Sequence, residues 1–156
     1  MTAEKLRALG VETLAIVATE AARARLYFRF RQPRCAVAAD PDLVTHRAYR
    51  VPQVAKTPEI VETVHGLWAG LLRAQRVEAP AGGLYEAVNR LDNFTPAESD
   101  RAEMERHEAQ FVGQFLIDRE GIVRWANIEG AREGLAGVGA FPTDQELLDA
   151  ARALRR

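Results

Sequence analysis

An α/β fold follows from three stretches of this sequence. Residues 11–18 (VETLAIVA) form a near-continuous apolar run, and residues 35–39 (CAVAA) form a second, shorter one. The interval between them has room for a helix, so the pair reads as the βαβ crossover of a parallel sheet. Residues 111–129 carry apolar β-formers on two arms around Asp118-Arg119-Glu120-Gly121. This is a tight antiparallel hairpin in which Gly121 takes the positive φ of a bulged turn. Between these sheet elements, residues 53–110 show helix caps and helical spacing in place of strand alternation. With 156 residues, 47% of them hydrophobic, the chain can bury one good core. The expected organisation is a single domain over 1–156, with a helical insertion at about 53–110 and the hairpin as the surface on which the remainder packs.

The elements follow in order. Residues 2–9 place Leu6 and Leu9 at helical spacing ahead of Gly10, which sits where a C-terminal cap belongs. The run at 11–18 has the composition of a strand covered on both faces. Thr19 is the expected cap of a helix over 21–31, with Leu26 and Phe30 turned toward the core. After the second strand, Asp40-Pro41 supplies a capping carboxylate and a first-turn proline for a helix over 43–49, which stops before Pro52. Thr57-Pro58 opens a longer helix whose Ile60, Val61, Val64, Leu67, Trp68, Leu71 and Leu72 make one apolar stripe. Residues 79–83 (APAGG) break it. A weaker helix covers 84–91, and Thr95-Pro96-Ala97-Glu98 is a capping box for a charged helix reaching Ala109. Beyond the hairpin, the glycines of 130–141 predict a loop, and Thr143-Asp144-Gln145-Glu146 caps a last helix with Leu147, Leu148, Ala151 and Leu154 inward.

Charge is nearly balanced, with 21 Lys plus Arg against 22 Asp plus Glu, so no global field selects nucleic acid or an anionic membrane. The arginines at 23, 25, 29, 31 and 34, interleaved with Tyr27, Phe28 and Phe30, accordingly read as a solvated helix face. No basic-then-apolar leader and no apolar run of bilayer length occurs, and the expected compartment is the cytoplasm. Cys35 is the one cysteine, which excludes an intrachain disulfide and a cysteine-built metal site. His46, His65 and His107 fall in separate helical stretches, and no metal is expected. The glycines of 130–139 carry neither GxGxxG nor a P-loop lysine, and no cofactor is expected. Asp40 and Asp118 read as a helix cap and a turn residue, not as an acid–base pair.

The succession of parallel βαβ, antiparallel hairpin and last helix resembles the thioredoxin fold, and three local words are similar to the peroxiredoxin (AhpC/TSA, redoxin) family. Val11-Glu12-Thr13-Leu14-Ala15-Ile16-Val17-Ala18 resembles the strand after that family's active-site helix. Ala38-Ala39-Asp40-Pro41-Asp42, followed by Ala48-Tyr49-Arg50-Val51-Pro52, resembles its "aDpd…aYGv" segment, with Arg50 in the place of glycine. Phe115-Leu116-Ile117-Asp118-Arg119-Glu120-Gly121-Ile122-Val123-Arg124 resembles its "tFlIDreGiVr" hairpin. The resemblance implies an antioxidant oxidoreductase in which a cysteine thiolate attacks a peroxide, becomes a sulfenic acid and is restored by an external thiol reductant. It also implies a Pro-x-x-x-Thr/Ser-x-x-Cys loop ahead of the first helix, and an arginine or cis-proline where Val112 stands. On that expectation the domain is N-terminally incomplete and this chain, as written, is not itself a working peroxidase.

Cys35 is then the one candidate nucleophile. Gln32-Pro33-Arg34-Cys35 resembles a Thr-Pro-x-Cys loop, and Arg31 and Arg34 are near enough in sequence to favour a thiolate. Yet Cys35 begins its strand, whereas chemistry on open parallel sheets gathers beyond the strands' carboxyl ends. The expectation is therefore a small, half-buried apolar residue. A different class of function is a non-catalytic redoxin-like interaction module, in which the insert and the bare edge of the 11–18 strand take a partner or a second copy of the chain as a homo-oligomer.

Overall fold

The computed structural model describes residues 1–80 and 83–154 and shows a mixed α/β protein. Its elements are α1 (Thr2–Ala8), β1 (Leu14–Val17), α2 (Ala21–Phe28), β2 (Ala36–Ala39), α3 (Val44–Ala48), β3 (Gln53–Val54), α4 (Pro58–Ala74), α5 (Leu84–Leu91), α6 (Glu98–Arg106), β4 (Ala109–Gln110), β5 (Gly113–Ile117), β6 (Val123–Ile128) and α7 (Asp144–Ala153). Among the described residues the strands pair two by two: β1 with β2 in parallel, β3 with β4 and β5 with β6 antiparallel. The chain divides into two compact units. One holds Met1–Pro52, Val112–Ile128 and the segment from Phe141; the other holds Gln53–Phe111 and Glu129–Ala140.

In the first unit the crossover has the expected direction, with Leu14 opposite Ala36 and Val17 opposite Ala39. Its first strand is shorter than the apolar run. Val11 N–H donates to the Leu6 carbonyl across Gly10, whose φ is +77°, so Val11 completes the end of α1 and does not enter β1. Nor is β1 covered on both faces, because Leu14 is 58% exposed. The expected cap and inward face of the next helix are also corrected. Glu20, not Thr19, is the N-cap of α2, the helix ends at Phe28, and Leu26 and Phe30 are 49% and 78% exposed. The cause is angular: Ala24 takes the buried position, and Leu26, two residues on, lies roughly 200° round the helix from it.

The Asp40 carboxylate does serve the first turn of α3, accepting from Val44 N–H at 2.9 Å and Thr45 N–H at 2.7 Å, but the N-cap position is Leu43, three residues beyond the expected start. Two residues differ from expectation: Leu43 is a buried turn residue at φ +55°, and Pro41 precedes the helix and does not enter its first turn. The unit's core forms where α1, the β5–β6 hairpin and α7 meet. Leu6, Leu116 and Ala151 are buried together, with Leu9, Val11, Trp125, Leu148 and Leu154 packed around them. The hairpin turn keeps its expected form, with Gly121 at φ +81° and a register shift at Leu116/Ile117 that marks the bulge. The Thr143 box also forms. The Thr143 hydroxyl accepts from Glu146 N–H at 3.2 Å, and Glu146 Oε2 accepts from Thr143 N–H at 2.7 Å.

In the second unit Thr57 caps α4 through its hydroxyl, which accepts from Ile60 N–H at 3.4 Å. The expected stripe is only partly covered: Ile60 and Leu72 are buried, whereas Val61, Leu67 and Leu71 are exposed. Trp68 lies 5.8 Å from the Tyr85 ring, joining α4 to α5. The cap of α6 falls two residues beyond the expected box, with Ala97 N–H donating to Asp100 at 2.6 Å. That helix ends at Arg106, short of Ala109, because Ala109 and Gln110 pair with Val54 and Gln53 in a short ladder that local periodicity does not reveal. Of the break expected at 79–83, residues 81 and 82 lie outside the described residues.

Four helices close in the same manner. At the ends of α1, α3, α4 and α5, Val11, Val51, Val77 and Phe94 donate to the carbonyls of Leu6, His46, Leu72 and Asn89 across a positive-φ residue. This is the Schellman closure, and its left-handed residue is Gly10, Arg50, Arg76 or Asn93. Arg50 is exposed and sits at φ +55°. A side chain in that conformation costs about 1 kcal/mol. Urea denaturation should therefore find Arg50→Gly more stable than Arg50→Ala by about 0.5–1 kcal/mol, the reverse of the usual preference for alanine near a helix. Equal stabilities would show that Arg50 carries no conformational strain.

Candidate functional site

Cys35 stands immediately before β2, and the parallel register puts it at the amino edge of the β1–β2 pair. Its thiol is free and half-buried. The arginines that precede it are directed elsewhere. Arg31 donates to the Tyr27 carbonyl at 3.3 Å and lies 4.6 Å above the Tyr27 ring. Arg34 pairs with Glu4 at 3.3 Å. Both guanidinium groups thus have partners other than the thiol.

At the carboxyl edge of the same strands, the Val17 carbonyl accepts from Thr19 N–H at 2.9 Å and from Asp40 N–H at 2.8 Å. This ties the two strand ends together and places Asp40 at the edge where ligands collect on parallel sheets. Its carboxylate, however, is buried and already occupied. Burial pushes its pKa up, the hydrogen bonds from Thr45 and Val44 pull it down, and the net effect holds the carboxyl below the ordinary aspartate range. The following segment is fixed against β5. The Tyr49 ring lies 4.8 Å from Phe115, and a Cβ on Gly113 would come within 2.7 Å of Val51 Cγ2, so only glycine admits this approach. Val112, where the resemblance places an arginine or cis-proline, is an exposed aliphatic residue.

Asp118 belongs to its turn. It accepts from Ile122 N–H at 2.8 Å and from Glu120 N–H at 3.0 Å. The Ile122 bond is the main reason its pKa is lowered, with Arg124 adding to it against a smaller effect of burial. The structure thus gives Asp40 and Asp118 separate structural work. His46 lies on α3, His65 on α4, and His107 closes α6. Among the described residues no group of three or more His, Cys, Asp or Glu side chains is placed to hold a metal ion. Among them, too, no helix is long and apolar enough to cross a membrane.

The feature that sequence reasoning missed is the outer face of α2 and its exit. Arg25, Leu26, Arg29 and Phe30 are all exposed there, with the Arg29 guanidinium 5.4 Å from the Phe30 ring centre. The alanine at position 24 is the signal that locates the buried side. No family model, no curated protein and no solved structure matches this chain.

The depressed pKa of Asp40 has a measurable consequence. Because the folded value lies below the unfolded one, its stabilisation is complete above about pH 4 and is lost as pH falls through the folded value. Asp40→Asn keeps one acceptor oxygen and removes the charge. It should lower stability by about 1 kcal/mol at neutral pH and flatten the fall in stability below about pH 4. An acid limb identical to that of the parent would show that the Asp40 charge contributes nothing.

Proposed function

We propose that the chain is a redoxin-like cytoplasmic domain with a thioredoxin-like arrangement, belonging to a protein that serves thiol-dependent reduction of hydroperoxides or thiol–disulfide exchange, with the attacking cysteine not among these 156 residues. The observation that carries this reading is the path of residues 40–52. The Asp40 carboxylate serves the first turn of α3 at the carboxyl edge of the parallel pair, and Arg50 occupies the left-handed conformation at the one place where the resembling redoxin segment has glycine. A backbone that demands glycine geometry without a glycine supports a likeness of path as well as of letters. In the proposed reaction a thiolate attacks one peroxide oxygen, the O–O bond breaks, water or an alcohol leaves, and the cysteine becomes a sulfenic acid. One equivalent of external thiol condenses with that acid to a mixed disulfide and water; a second, as thiolate, attacks the external sulfur of that disulfide, so that the cysteine leaves as thiolate and the two external thiols form a disulfide.

A second reading is favoured by one specific observation. The parallel β1–β2 pair has no third strand among the described residues, and Leu14 on β1 is mostly exposed. A two-stranded pair is marginal by itself, and a partner strand or a second copy would complete it. That is the non-catalytic module.

The deciding experiment is the intact mass and peptide map of the protein isolated from its own cells, combined with hydroperoxide consumption under dithiothreitol. The redoxin reading expects a second cysteine and peroxide turnover that Cys35→Ser leaves unchanged. A native protein with Cys35 alone, no turnover and a dimer on sedimentation establishes the module instead. Addition of oxygen to Cys35 by peroxide, abolished in Cys35→Ser, would overturn the exclusion of that thiol.

A further inference from the structure

The balanced charge of the whole chain conceals a local asymmetry. Residues 21–39 contain five arginines and no aspartate or glutamate. Within this stretch Leu26 and Phe30 point outward beside Arg25 and Arg29, and Phe30, at 78%, has the largest exposure among the exposed large hydrophobic residues. Two acidic groups lie close by: Glu20 caps α2, and Glu4 is paired with Arg34. Neither stands among the exposed residues 25–30. Apolar side chains that project outward with guanidinium groups beside them suit a membrane surface, where the ring and aliphatic group seat at the acyl boundary while the cations remain among the headgroups.

We infer that the outer face of α2 and its exit, through Arg25, Leu26, Arg29 and Phe30, is a reversible docking surface for an anionic lipid bilayer. Charge complementarity selects the occupant, and the apolar pair distinguishes it from other polyanions. A single-stranded nucleic acid would require successive open rings to stack on. Here Tyr27 and Phe28 are half-buried and stand edge to face at 5.0 Å, which leaves Phe30 alone among the rings of this segment as an exposed one. A bilayer accepts an isolated Phe and an isolated Leu equally well. A surface with two outward apolar groups and a few charges gives weak, salt-sensitive, peripheral attachment.

The test is cosedimentation of the full chain with vesicles. One set is phosphatidylcholine alone; the other contains phosphatidylserine at about a third of the lipid, within the anionic range of cytoplasmic leaflets. The expected result is binding to the anionic set only, weakened by added salt. The pair Arg25→Gln and Arg29→Gln should lower partitioning by about fivefold for each charge removed. Phe30→Ser should lower it by about tenfold, an effect that a purely electrostatic contact would not show. All three positions are exposed, and an unchanged thermal melt confirms that each variant is folded. Equal binding to both vesicle sets, binding to neither, variants that bind like the parent, or capture by polyuridylate in preference to vesicles would each overturn the inference.

Discussion

The first unit depends on the contact between Leu116 in the middle of β5, Leu6 on α1 and Ala151 on α7. Each of the three comes from a different part of the chain, and each is nearly or wholly buried, with Ala151 fully so. Alanine at that position lets α7 approach the hairpin closely, whereas a larger side chain would force the helix outward at a cost of about 1–3 kcal/mol. The charges around this contact hold the same geometry. Lys5 reaches Asp144 at 2.7 Å, and the Thr2 hydroxyl donates to the same carboxylate, so the start of α1 is fixed to the first turn of α7. Because these groups are largely exposed, they orient more than they stabilise.

Against this closed end, the β1–β2 pair is sparsely covered. The residues of β2 are small, Leu14 on β1 is mostly exposed, and among the described residues of the whole chain no large side chain is fully buried. What holds the pair is backbone: the parallel ladder, the two bonds onto the Val17 carbonyl, and the Asp40 bonds that fix the exit of β2. The same construction fixes what stands at each edge of the pair. The one buried acid at the carboxyl edge is committed to α3, and the one thiol of the chain is at the other edge.

Much of this was legible, for a physical reason. Thr57, Thr143 and Gly10 mark helix ends through interactions within a few residues of themselves, and such signals survive in a single sequence. The hairpin is likewise local. What stayed hidden was decided by distant partners or by conformations that the residue type disguises. Ala109 and Gln110 read as the tail of a charged helix and become a strand only because Gln53 and Val54 lie across from them. Arg50, Arg76 and Asn93 end helices where a reader looks for glycine. Of the candidate site, the edge occupied by Cys35 was legible from topology, whereas the outward turn of Leu26 and Phe30 followed from Ala24 taking the buried position, which hydrophobicity ranks in the opposite order.

A net charge sums groups wherever they lie in the chain. Ions screen exposed charges over about 8–10 Å at physiological strength, so groups farther apart than that do not cancel one another. The total near zero sums a stretch at 21–39 with five arginines and no acid and a stretch at 98–108 with five acids and two arginines. For a ligand at one face, the relevant quantity is the charge within one screening length of the exposed apolar groups. Counted that way, Arg25 and Arg29 beside Leu26 and Phe30 make a cationic, apolar surface on a protein whose formal net charge is -1.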